Sequence, residues 1–565
     1  MPTHPYPFDP RTATLLDALK GAAQLSASRG ITIYDRRGQN ADRRSYVELL
    51  ALAGRGARRF AAAGVKPRDR ILVCLNTSWE LLEIWFGAVL CGAHPVLVAP
   101  PAALGGAASH AKKIEGLVEL LNPHQFICDE AMRNELIEFG APAAHAVCMT
   151  TQEFLAAPSS DTFSPPLVKT SDLAFLQLTS GSTGRQRAVQ IRHSNVIHNA
   201  LAMAEFSRVV PFSDADAVVS WLPLNHDMGL VGCLLYSVVQ GINLFLMRPE
   251  TFLARPKLWL QTISANRATM SAAPNFAYQL CIERVDPKDL AGLDLSSWRV
   301  ALTGAEMVHP ETCRLLCEKW AEQKFHPTQL LPSYGMAEAT LAVTADRKCV
   351  GVRTSPMPAG ADAGLGMNEV VCLGRPVLDT QVKISSMSEP GQFLAEGALG
   401  EVYVKGPGVF AGYYNDDAAT AETLYKGEWL RTGDVGFLKE GELFITGRTK
   451  DVIIVHGHNL MPHELEWLAE DVSGGGGSER CGAFSVSHGG DGEQAVLVIE
   501  AGTSDAAQLE VYDKEIRTRV ARALGLPLAD LMFVKRGQIP KTTSGKVQRR
   551  ELRQRYLDGT LDRLK

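Results

Sequence analysis

The 565-residue chain has no run of about twenty apolar residues, the length that a helix needs to cross a membrane. Segment 1–18 also lacks the basic start and apolar core of a secretion signal. The formal net charge is −5, which gives no reason to expect nucleic acid as a partner. We therefore expect a protein without a membrane span and without a nucleic-acid ligand.

Cysteine patterns that build metal or disulfide sites are missing as well. The eleven cysteines form no Cys-x-x-Cys pair, and Cys313 and Cys317 have no nearby His or Cys to complete a zinc site. Reduced thiols in the core of a cytoplasmic protein are the simplest interpretation. A hydrophobic content of 46% excludes a disordered chain, and the length exceeds one hydrophobic core, so we expect at least two domains.

One short loop, between a buried strand over 174–178 and a helix beginning near Ser194, combines hydroxyls, glycines and charge. Its glycines allow several backbone N–H groups to point at one anion, and Arg187 adds a guanidinium. The loop members are Thr179, Ser180, Gly181, Ser182, Thr183 and Gly184. A Walker A loop is excluded, because Arg185 and Gln186 follow the last glycine. The loop indicates a nucleotide phosphate site; a plain polar turn is the alternative.

Short apolar runs alternate with helical patterns through the first 300 residues, which predicts an α/β protein with parallel sheets and flanking helices. Predicted strands lie at 71–75, 95–98, 125–128, 174–178, 217–222, 242–247 and 299–302. Ser45 and Glu48 form a capping box at the start of a predicted helix. Segment 343–373 is irregular, and strands at 381–384, 400–405 and 442–446 then predict a β-rich subdomain.

A domain boundary is expected near Arg448. It divides a large N-terminal domain, residues 1–447, from a small and mobile α+β C-terminal domain, residues 448–565. In the second domain we predict strands at 452–455 and 495–500, and helices at 462–469 and 513–524.

Polar side chains follow several predicted strands. His226 and Asp227 come after strand 217–222, where side chains commonly line a crevice; an Asp227 helix cap with His226 packed beside it is equally compatible. Tyr334 could cover a purine and Glu338 could hold Mg²⁺ through oxygen ligands, although either residue alone is more often structural.

Two segments near the expected boundary and the C-terminal end add charge. Asp434 follows a glycine turn and is suited to accept hydrogen bonds from ribose hydroxyls. Lys546 follows a Gly-containing loop, and a solvated basic tail is the alternative because four arginines follow it. They are Arg549, Arg550, Arg553 and Arg555.

Taken in this order, the motifs resemble those of the adenylate-forming superfamily of acyl and aryl ligases, luciferases and peptide-synthetase adenylation domains, over essentially the whole chain. The matching segments are 179–184, 334–338, 432–434, 447–448 and 544–546. Within the superfamily the chain is similar to the fatty acyl-AMP ligases. The segments that carry this closer resemblance are 222–229, 334–341, 372–376 and 540–550.

The resemblance implies that a fatty acid is activated with ATP and Mg²⁺ to acyl-AMP and then transferred to the phosphopantetheine thiol of an acyl carrier protein, rather than to coenzyme A. Lys546, His226 and Glu338 are the implied catalytic residues, with Glu338 also the metal ligand. The implied ATP-binding residues are Thr179 to Gly184, Arg187, Gly304, Ala305, Glu306, Tyr334, Gly335, Met336, Ala337, Asp434 and Arg448. His226, Met228 and Gly229 would border the acyl pocket, and Lys450 would be the hinge.

Two departures from the family pattern affect these expectations. Gln186-Arg187-Ala188 stands where the family usually has Pro-Lys-Gly, so the charge is kept but the glycine flexibility is lost. The insertion that restrains domain rotation in acyl-AMP ligases would lie at 343–371 and is short. An acyl-CoA or aryl-CoA ligase therefore stays an alternative. A non-catalytic acyl-adenylate-binding relative is less favoured, because the charged motif residues occur together.

Overall fold

The computed structural model describes most of the chain and has a mixed α/β fold, as expected. The described residues are 6–25, 27–101, 106–179, 186–207, 213–346, 350–358, 369–455, 458–470, 472, 480–487, 493–524, 527–541 and 546–564. The phosphate-loop residues Ser180 to Gly184 lie outside these ranges, as do Ser544 and Gly545.

The strands were expected to be short, and most span two to eight residues. In chain order they are β1 Gly30–Tyr34, β2 Ala41–Ser45, β3 Arg70–Cys74, β4 His94–Leu97, β5 Gln125–Cys128, β6 Cys148–Thr150, β7 Leu173–Thr179, β8 Arg187–Arg192, β9 Ala217–Ser220, β10 Asn243–Leu246, β11 Met270–Ala273, β12 Val300–Thr303, β13 Leu330–Gly335, β14 Ala342–Ala345, β15 Thr354–Ser355, β16 Val370–Val371, β17 Arg375–Pro376, β18 Gln381–Ser385, β19 Gly400–Lys405, β20 Leu424–Tyr425, β21 Trp429–Lys439, β22 Glu442–Arg448, β23 Ile453–Val455, β24 His458–Leu460, β25 Cys481–Ser487, β26 Glu493–Glu500 and β27 Asp530–Val534.

Helices cover the sheets and connect their strands. They are α1 Leu15–Leu25, α2 Tyr46–Ala62, α3 Trp79–Leu90, α4 Ala107–Leu121, α5 Glu130–Glu138, α6 Pro142–Ala146, α7 Thr151–Ala156, α8 His193–Ser207, α9 Asp227–Gly229, α10 Tyr236–Gln240, α11 Pro249–Ala254, α12 Lys257–Ala265, α13 Asn275–Arg284, α14 Pro287–Leu290, α15 Pro310–Lys319, α16 Asp417–Thr423, α17 Pro462–Glu470, α18 Ala506–Leu524 and α19 Arg549–Leu557. Residues Leu230–Leu235 form a π-helix, and 3₁₀-helices span Ala321–Gln323, Pro327–Gln329 and Ala337–Ala339. Among the residues described, every helix is too short or too polar to cross a bilayer.

Two mostly parallel sheets form the larger part of the molecule. Within the described ranges, one has the order β17-β14-β13-β12-β11-β9-β10-β1-β2 and the other β6-β5-β3-β4-β7-β8. Antiparallel strands occur only towards the edges, where β2 pairs with β1, β14 with β13 and β17, and β8 with β7. Interior strands such as β9 and β12 are buried along their whole length, as expected for parallel sheets covered by helices on both faces.

The predicted capping box is confirmed at the start of α2. The Glu48 N–H donates to Ser45 Oγ at 3.2 Å, and the Ser45 N–H donates to Glu48 Oε2 at 2.7 Å. These two bonds satisfy backbone donors that the first helical turn leaves without an intrahelical partner.

The prediction for the chain after the phosphate loop was incomplete. We expected the loop to lead to a helix near Ser194, but β8 comes first and pairs antiparallel with β7, with Thr179 opposite Arg187. From Val189 to Arg192, buried and half-exposed residues of β8 alternate, which suits a strand. Strands β7 and β8 are therefore the two strands of a β-hairpin. Helix α18 is also longer than predicted and begins at Ala506, where Asp505 Oδ1 accepts a hydrogen bond from the Ala507 N–H.

The β-rich subdomain and the C-terminal part have separate sheets. Strands β18, β19, β21 and β20 form the subdomain sheet, with β22 paired to β21, and β25, β26 and β27 form a C-terminal sheet. The apolar cluster of the two large sheets ends at Ile445, whereas another cluster begins at Ile453. The expected boundary at 447/448 lies between these clusters and stays a prediction.

Candidate nucleotide and acyl site

A cavity of about 1430 Å³ lies where the carboxyl ends of the parallel strands of both large sheets meet the β-rich subdomain and the C-terminal part. Thr179, Tyr334, Asp434 and Lys546 all line it, although they are widely separated in sequence. Common ligand pockets have roughly 300–1,000 Å³. The cavity is therefore large enough for two substrates side by side.

A hydrogen-bonded carboxylate lies at one side of this cavity. Tyr334, near the end of β13, donates its hydroxyl to Asp434 Oδ2 at 2.5 Å, and Arg448 Nε lies 2.8 Å from Asp434 Oδ1. Arg448 is opposite Asp434 in the β21–β22 ladder, and the Asp434 N–H donates to Thr432 Oγ1 at 3.0 Å. Burial and the Asp434 carboxylate raise the pKa of Tyr334 well above its ordinary value, so the phenol stays a donor. The carboxylate is thereby held in one orientation.

The segment after β12 forms another part of the wall. Gly304 is in close contact with the neighbouring strand, because a Cβ on this residue would lie 2.6 Å from the Ser333 carbonyl oxygen. Ala305, which has a φ of +67°, and Glu306 line the cavity, whereas Gly304 is not among the lining residues. Glu306 Oε1 also accepts a hydrogen bond from the Phe276 N–H at 2.6 Å. Gly335, Met336 and Ala337 line the cavity from the end of β13.

Glu338 lies in the same cavity and is bonded to a tyrosine that the sequence analysis missed. The Tyr413 hydroxyl donates to Glu338 Oε1 at 2.8 Å. Burial raises the pKa of Glu338, and the bond from Tyr413 opposes this shift only in part. The Arg187 guanidinium lies 5.0 Å from the centre of the Tyr413 ring, with its Nε 3.6 Å from Asp416 Oδ2. Glu338 and Arg187 are thus brought together through Tyr413.

The position of Tyr413 depends on a long-range backbone contact. Tyr413 forms a β-bridge with Val189 of β8, and the Gln190 N–H donates to the Gly412 carbonyl at 3.0 Å. The Gly-Tyr-Tyr run at 412–414 was the only local signal for this residue.

His226 and Asp227 form a close pair at the start of α9. His226 Nδ1 lies 2.7 Å from Asp227 Oδ1, which also accepts a hydrogen bond from the Met228 N–H at 2.7 Å. Burial raises the pKa of Asp227, but His226, Lys546 and the Met228 N–H together lower it below the ordinary value. Both side chains and Met228 line the cavity. The residue at the N-cap of α9 is His226, whose Nδ1 accepts a hydrogen bond from the Met228 N–H at 3.4 Å, so the interpretation of Asp227 as the helix cap was wrong.

The position of Gly229 differs from the prediction that this residue borders the acyl pocket. It is not among the lining residues, and a Cβ on it would lie 2.3 Å from the Pro223 carbonyl oxygen. Gly229 therefore allows close backbone packing next to the pocket and does not border the pocket itself.

An apolar wall continues the cavity beyond His226. It begins at the π-helix Leu230–Leu235, an uncommon element that is frequent at functional sites. The apolar lining residues from this helix and from α8, β11 and the segment before β14 include Met203, Phe206, Gly232, Met270, Ala272 and Leu341. Apart from the segment containing Leu341, the sequence analysis did not identify them. A hydrocarbon chain is the type of ligand that this wall suits.

Lys546 lies in the cavity close to charged residues of the N-terminal part. Burial and the Arg448 guanidinium lower its pKa, and the carboxylates of Asp227, Glu306 and Asp434 oppose this shift. Lys450 also lines the cavity. The structure therefore brings the expected C-terminal lysine, together with the expected hinge residue, to the same cavity as Tyr334 and Asp434.

Comparison with known proteins identifies the family. Residues 22–414 match the family model described as AMP-binding enzyme, which is more than half of the chain. The chain belongs to the family of AMP-binding enzymes. These enzymes use ATP, and the expectation of an adenylate-forming ligase is confirmed.

Other AMP-binding enzymes resemble the chain over nearly its whole length. A putative acyl-CoA synthetase of Caulobacter vibrioides is 32% identical over 97% of this chain and 96% of its own. The medium-chain-fatty-acid acyl-carrier-protein ligase JamA of Moorena producens is 30% identical over 98% of this chain and 96% of its own. A solved structure from work on fatty acyl-adenylate ligases of E. coli and L. pneumophila has a TM-score of 0.89 and 33% identity, and covers 97% of this chain and 98% of that one. The resemblance to fatty acyl-AMP ligases is therefore confirmed.

Proposed function

We propose that this enzyme converts a fatty acid and ATP to acyl-AMP and pyrophosphate, and then transfers the acyl group to the phosphopantetheine thiol of an acyl carrier protein. The observation that carries the proposal is one cavity lined both by the Tyr334–Asp434 pair with Lys546 and by an apolar wall. We also infer that it acts in the cytoplasm, because its reaction consumes ATP.

In the first step, a carboxylate oxygen of the acid forms a bond to the α-phosphorus of ATP while the bond to the pyrophosphate oxygen breaks. Negative charge develops on the phosphoryl oxygens, so cations and N–H donors fixed in place lower the barrier. Lys546 would bridge the acyl carboxylate and the α-phosphate, and Asp434 with Arg448 would hold the ribose. Arg187, Thr179 and the loop that follows Thr179 would bind the β- and γ-phosphates.

The adenine would lie against Tyr334 and the wall of Ala305 and Glu306, with Gly335 to Ala337 at its side. His226 would orient the entering carboxylate, and Met228 would border the acyl chain. Both residues line the cavity, together with the apolar wall.

Glu338 would hold Mg²⁺, which supplies charge neutralisation for the phosphates when bound. Magnesium is commonly held by one or two carboxylates together with phosphate oxygens and water, so a carboxylate in the nucleotide cavity fits this role. Tyr413 would keep Glu338 in place through its hydrogen bond to Oε1.

In the second step, the acceptor thiolate attacks the acyl carbonyl carbon, and AMP leaves with the bonding electrons. Lys546 occupies the cavity that the thiol must enter, so we infer that the domain beginning near residue 448 turns about Lys450 between the two steps. A carrier protein is supported as acceptor by the name of the Moorena relative. Coenzyme A is the alternative, which the name of the Caulobacter relative favours.

Both proposed steps are tested by one reconstitution. The purified enzyme is incubated with ATP, Mg²⁺ and fatty acids of several chain lengths, and either coenzyme A or phosphopantetheinylated carrier protein is added. Mass spectrometry is expected to detect acyl-AMP with both acceptors and a thioester on the carrier protein only. Equal formation of acyl-CoA would identify a CoA ligase, and no acyl-AMP with any acid would refute the proposed activity.

A further inference from the structure

An aromatic contact joins the two sides of the expected domain boundary. The rings of His309, just before α15, and Trp467, on α17, have centroids 4.4 Å apart and an angle of 69° between their planes. His463, one helical turn before Trp467, lies 4.8 Å from the same indole ring. His309 and Trp467 are both only partly buried, so neither side chain is part of a domain core.

His309 is fixed by the loop that also forms the nucleotide wall. Its N–H donates to Asn275 Oδ1 at 3.1 Å, and three residues earlier Glu306 accepts the hydrogen bond from Phe276. Ala305 and Glu306 of this loop line the cavity. Trp467 therefore contacts the N-terminal part on the same loop that we assign to the nucleotide.

The residue beside Trp467 holds the segment that carries Lys546. Glu466 is 1% exposed and accepts two hydrogen bonds from Arg549, at 2.8 and 2.6 Å, and one from the Ala483 N–H at 2.9 Å. Arg549 is three residues after Lys546 and begins α19. Helix α17 is thus connected to the lysine segment through Glu466 and to the N-terminal part through Trp467.

We propose that Trp467 and His309 form the docking contact that positions Lys546 for adenylation. They are positioning residues that act through Lys546, and the inference rests on the role proposed for that lysine. Trp467 also lines the cavity, whereas His309 does not, so the His309 variant tests the contact without changing the cavity wall. An edge-to-face aromatic pair changes an equilibrium by roughly two- to tenfold. A contact of this strength favours the docked arrangement in the first step and still allows the domain to leave in the second.

The test compares the two half reactions in Trp467→Ala and His309→Ala. Adenylation is measured by ATP–pyrophosphate exchange, and transfer by giving the enzyme synthetic dodecanoyl-AMP with pantetheine as the acceptor thiol. We expect the exchange rate to fall by roughly three- to tenfold, with transfer unchanged or faster. Trp467→Phe should restore most of the exchange rate, because it keeps an aromatic ring at the contact.

A double-mutant cycle separates the contact from a general effect on the fold. If the two rings act as a pair, His309→Ala combined with Trp467→Ala should lower exchange no further than either single change. Tyr512→Ala is the matched control, because Tyr512 is a partly buried aromatic residue on α18 that does not line the cavity. It should leave both rates unchanged.

Three results would overturn the inference: an equal loss of both half reactions, no loss of exchange, or fully additive losses in the double variant. Unchanged exchange in Lys546→Ala is a different result, because it would refute the proposed role of the lysine itself.

Discussion

Tyr334 and Asp434 are one hundred positions apart in the chain, yet the tyrosine hydroxyl donates a hydrogen bond to the carboxylate at 2.5 Å. Tyr334 comes from β13, the third strand in the order of a large sheet, and Asp434 comes from the sheet of the β-rich subdomain. Arg448 contacts the other carboxylate oxygen. The nucleotide side of the site is therefore assembled where two sheets meet.

Tyr334→Phe should weaken ATP binding selectively. The ring remains, but Asp434 loses one of the contacts that fix its orientation. A hydrogen bond to a charged group contributes about 1.5 kcal/mol or more, so we expect the KM for ATP to rise about tenfold. Steady-state kinetics should show little change in the KM for the fatty acid. A larger effect on the acid than on ATP would contradict the assignment of Tyr334 and Asp434 to the nucleotide.

Lys546→Ala should lower ATP–pyrophosphate exchange by roughly a hundredfold or more, the cost of removing a donor to the transition state. Lys535→Ala is a matched control, because Lys535 is exposed on the same C-terminal part. Unchanged exchange in the first variant would remove Lys546 from the adenylation step.

The pH dependence of adenylation gives a second test of the role proposed for Lys546. Its pKa is lowered by burial and by Arg448, so its ammonium loses the proton at a lower pH than an ordinary lysine. If the ammonium is required, kcat/KM for ATP should fall as the pH rises through this lowered pKa. Lys546→Arg should move that decline to higher pH, because arginine stays protonated. An identical decline in the variant would assign it to another group.

Glu338→Gln should increase the Mg²⁺ concentration needed for half-maximal activity and lower kcat by about tenfold or more. Since burial raises the pKa of Glu338, the wild-type enzyme should lose activity as the pH falls through that raised pKa, when the carboxylate becomes neutral. Glu428→Gln is the control, because Glu428 is exposed and pairs with Lys405 at 2.7 Å. Equal Mg²⁺ dependence in the wild-type enzyme and Glu338→Gln would exclude Glu338 as the metal ligand.

Lys450→Pro should separate the two half reactions. Proline fixes φ and restricts the residue before it, so rotation between β22 and β23 becomes limited. We expect acyl-AMP formation to continue and thioester formation to fall about tenfold or more, both measured by mass spectrometry. Lys450→Ala should keep both activities. Equal loss of both steps in Lys450→Pro would show that the substitution damages the fold instead of a hinge.

Ala272→Leu should shorten the acyl pocket. Ala272 is buried in β11 and belongs to the apolar wall of the cavity, so a larger side chain would occupy space next to the acid. We expect kcat/KM for long-chain acids to fall by about tenfold and the KM for ATP to stay the same. Met203→Ala, which enlarges the same wall, should favour longer acids. Thermal melting of Ala272→Leu checks how much folding stability the larger side chain costs, which is about 1–3 kcal/mol in a well-packed core.

Local patterns predicted the α/β class, seven strands of the parallel sheets and the motif residues, but they did not predict β1, β6 or β11. The capping box of α2 depends on residues three positions apart, and the interior strands are continuous apolar runs, so their signals lie within a few residues. We did not predict the π-helix, the pairing of β8 with β7, or the hydrogen bond from Tyr413 to Glu338. Each depends on packing or pairing between segments that are far apart in sequence.

The sequence by itself determined which chemical groups are available: a phosphate loop, an aromatic and a carboxylate that follow strands, and a lysine after a C-terminal glycine. Only the tertiary structure decided which of them meet. Tyr334 contacts Asp434, Glu338 contacts Tyr413, and Trp467 reaches His309 because sheet pairing and helix packing bring their backbones together. Such contacts leave no local pattern in the sequence, because the residues next to each member do not depend on which distant residue it contacts.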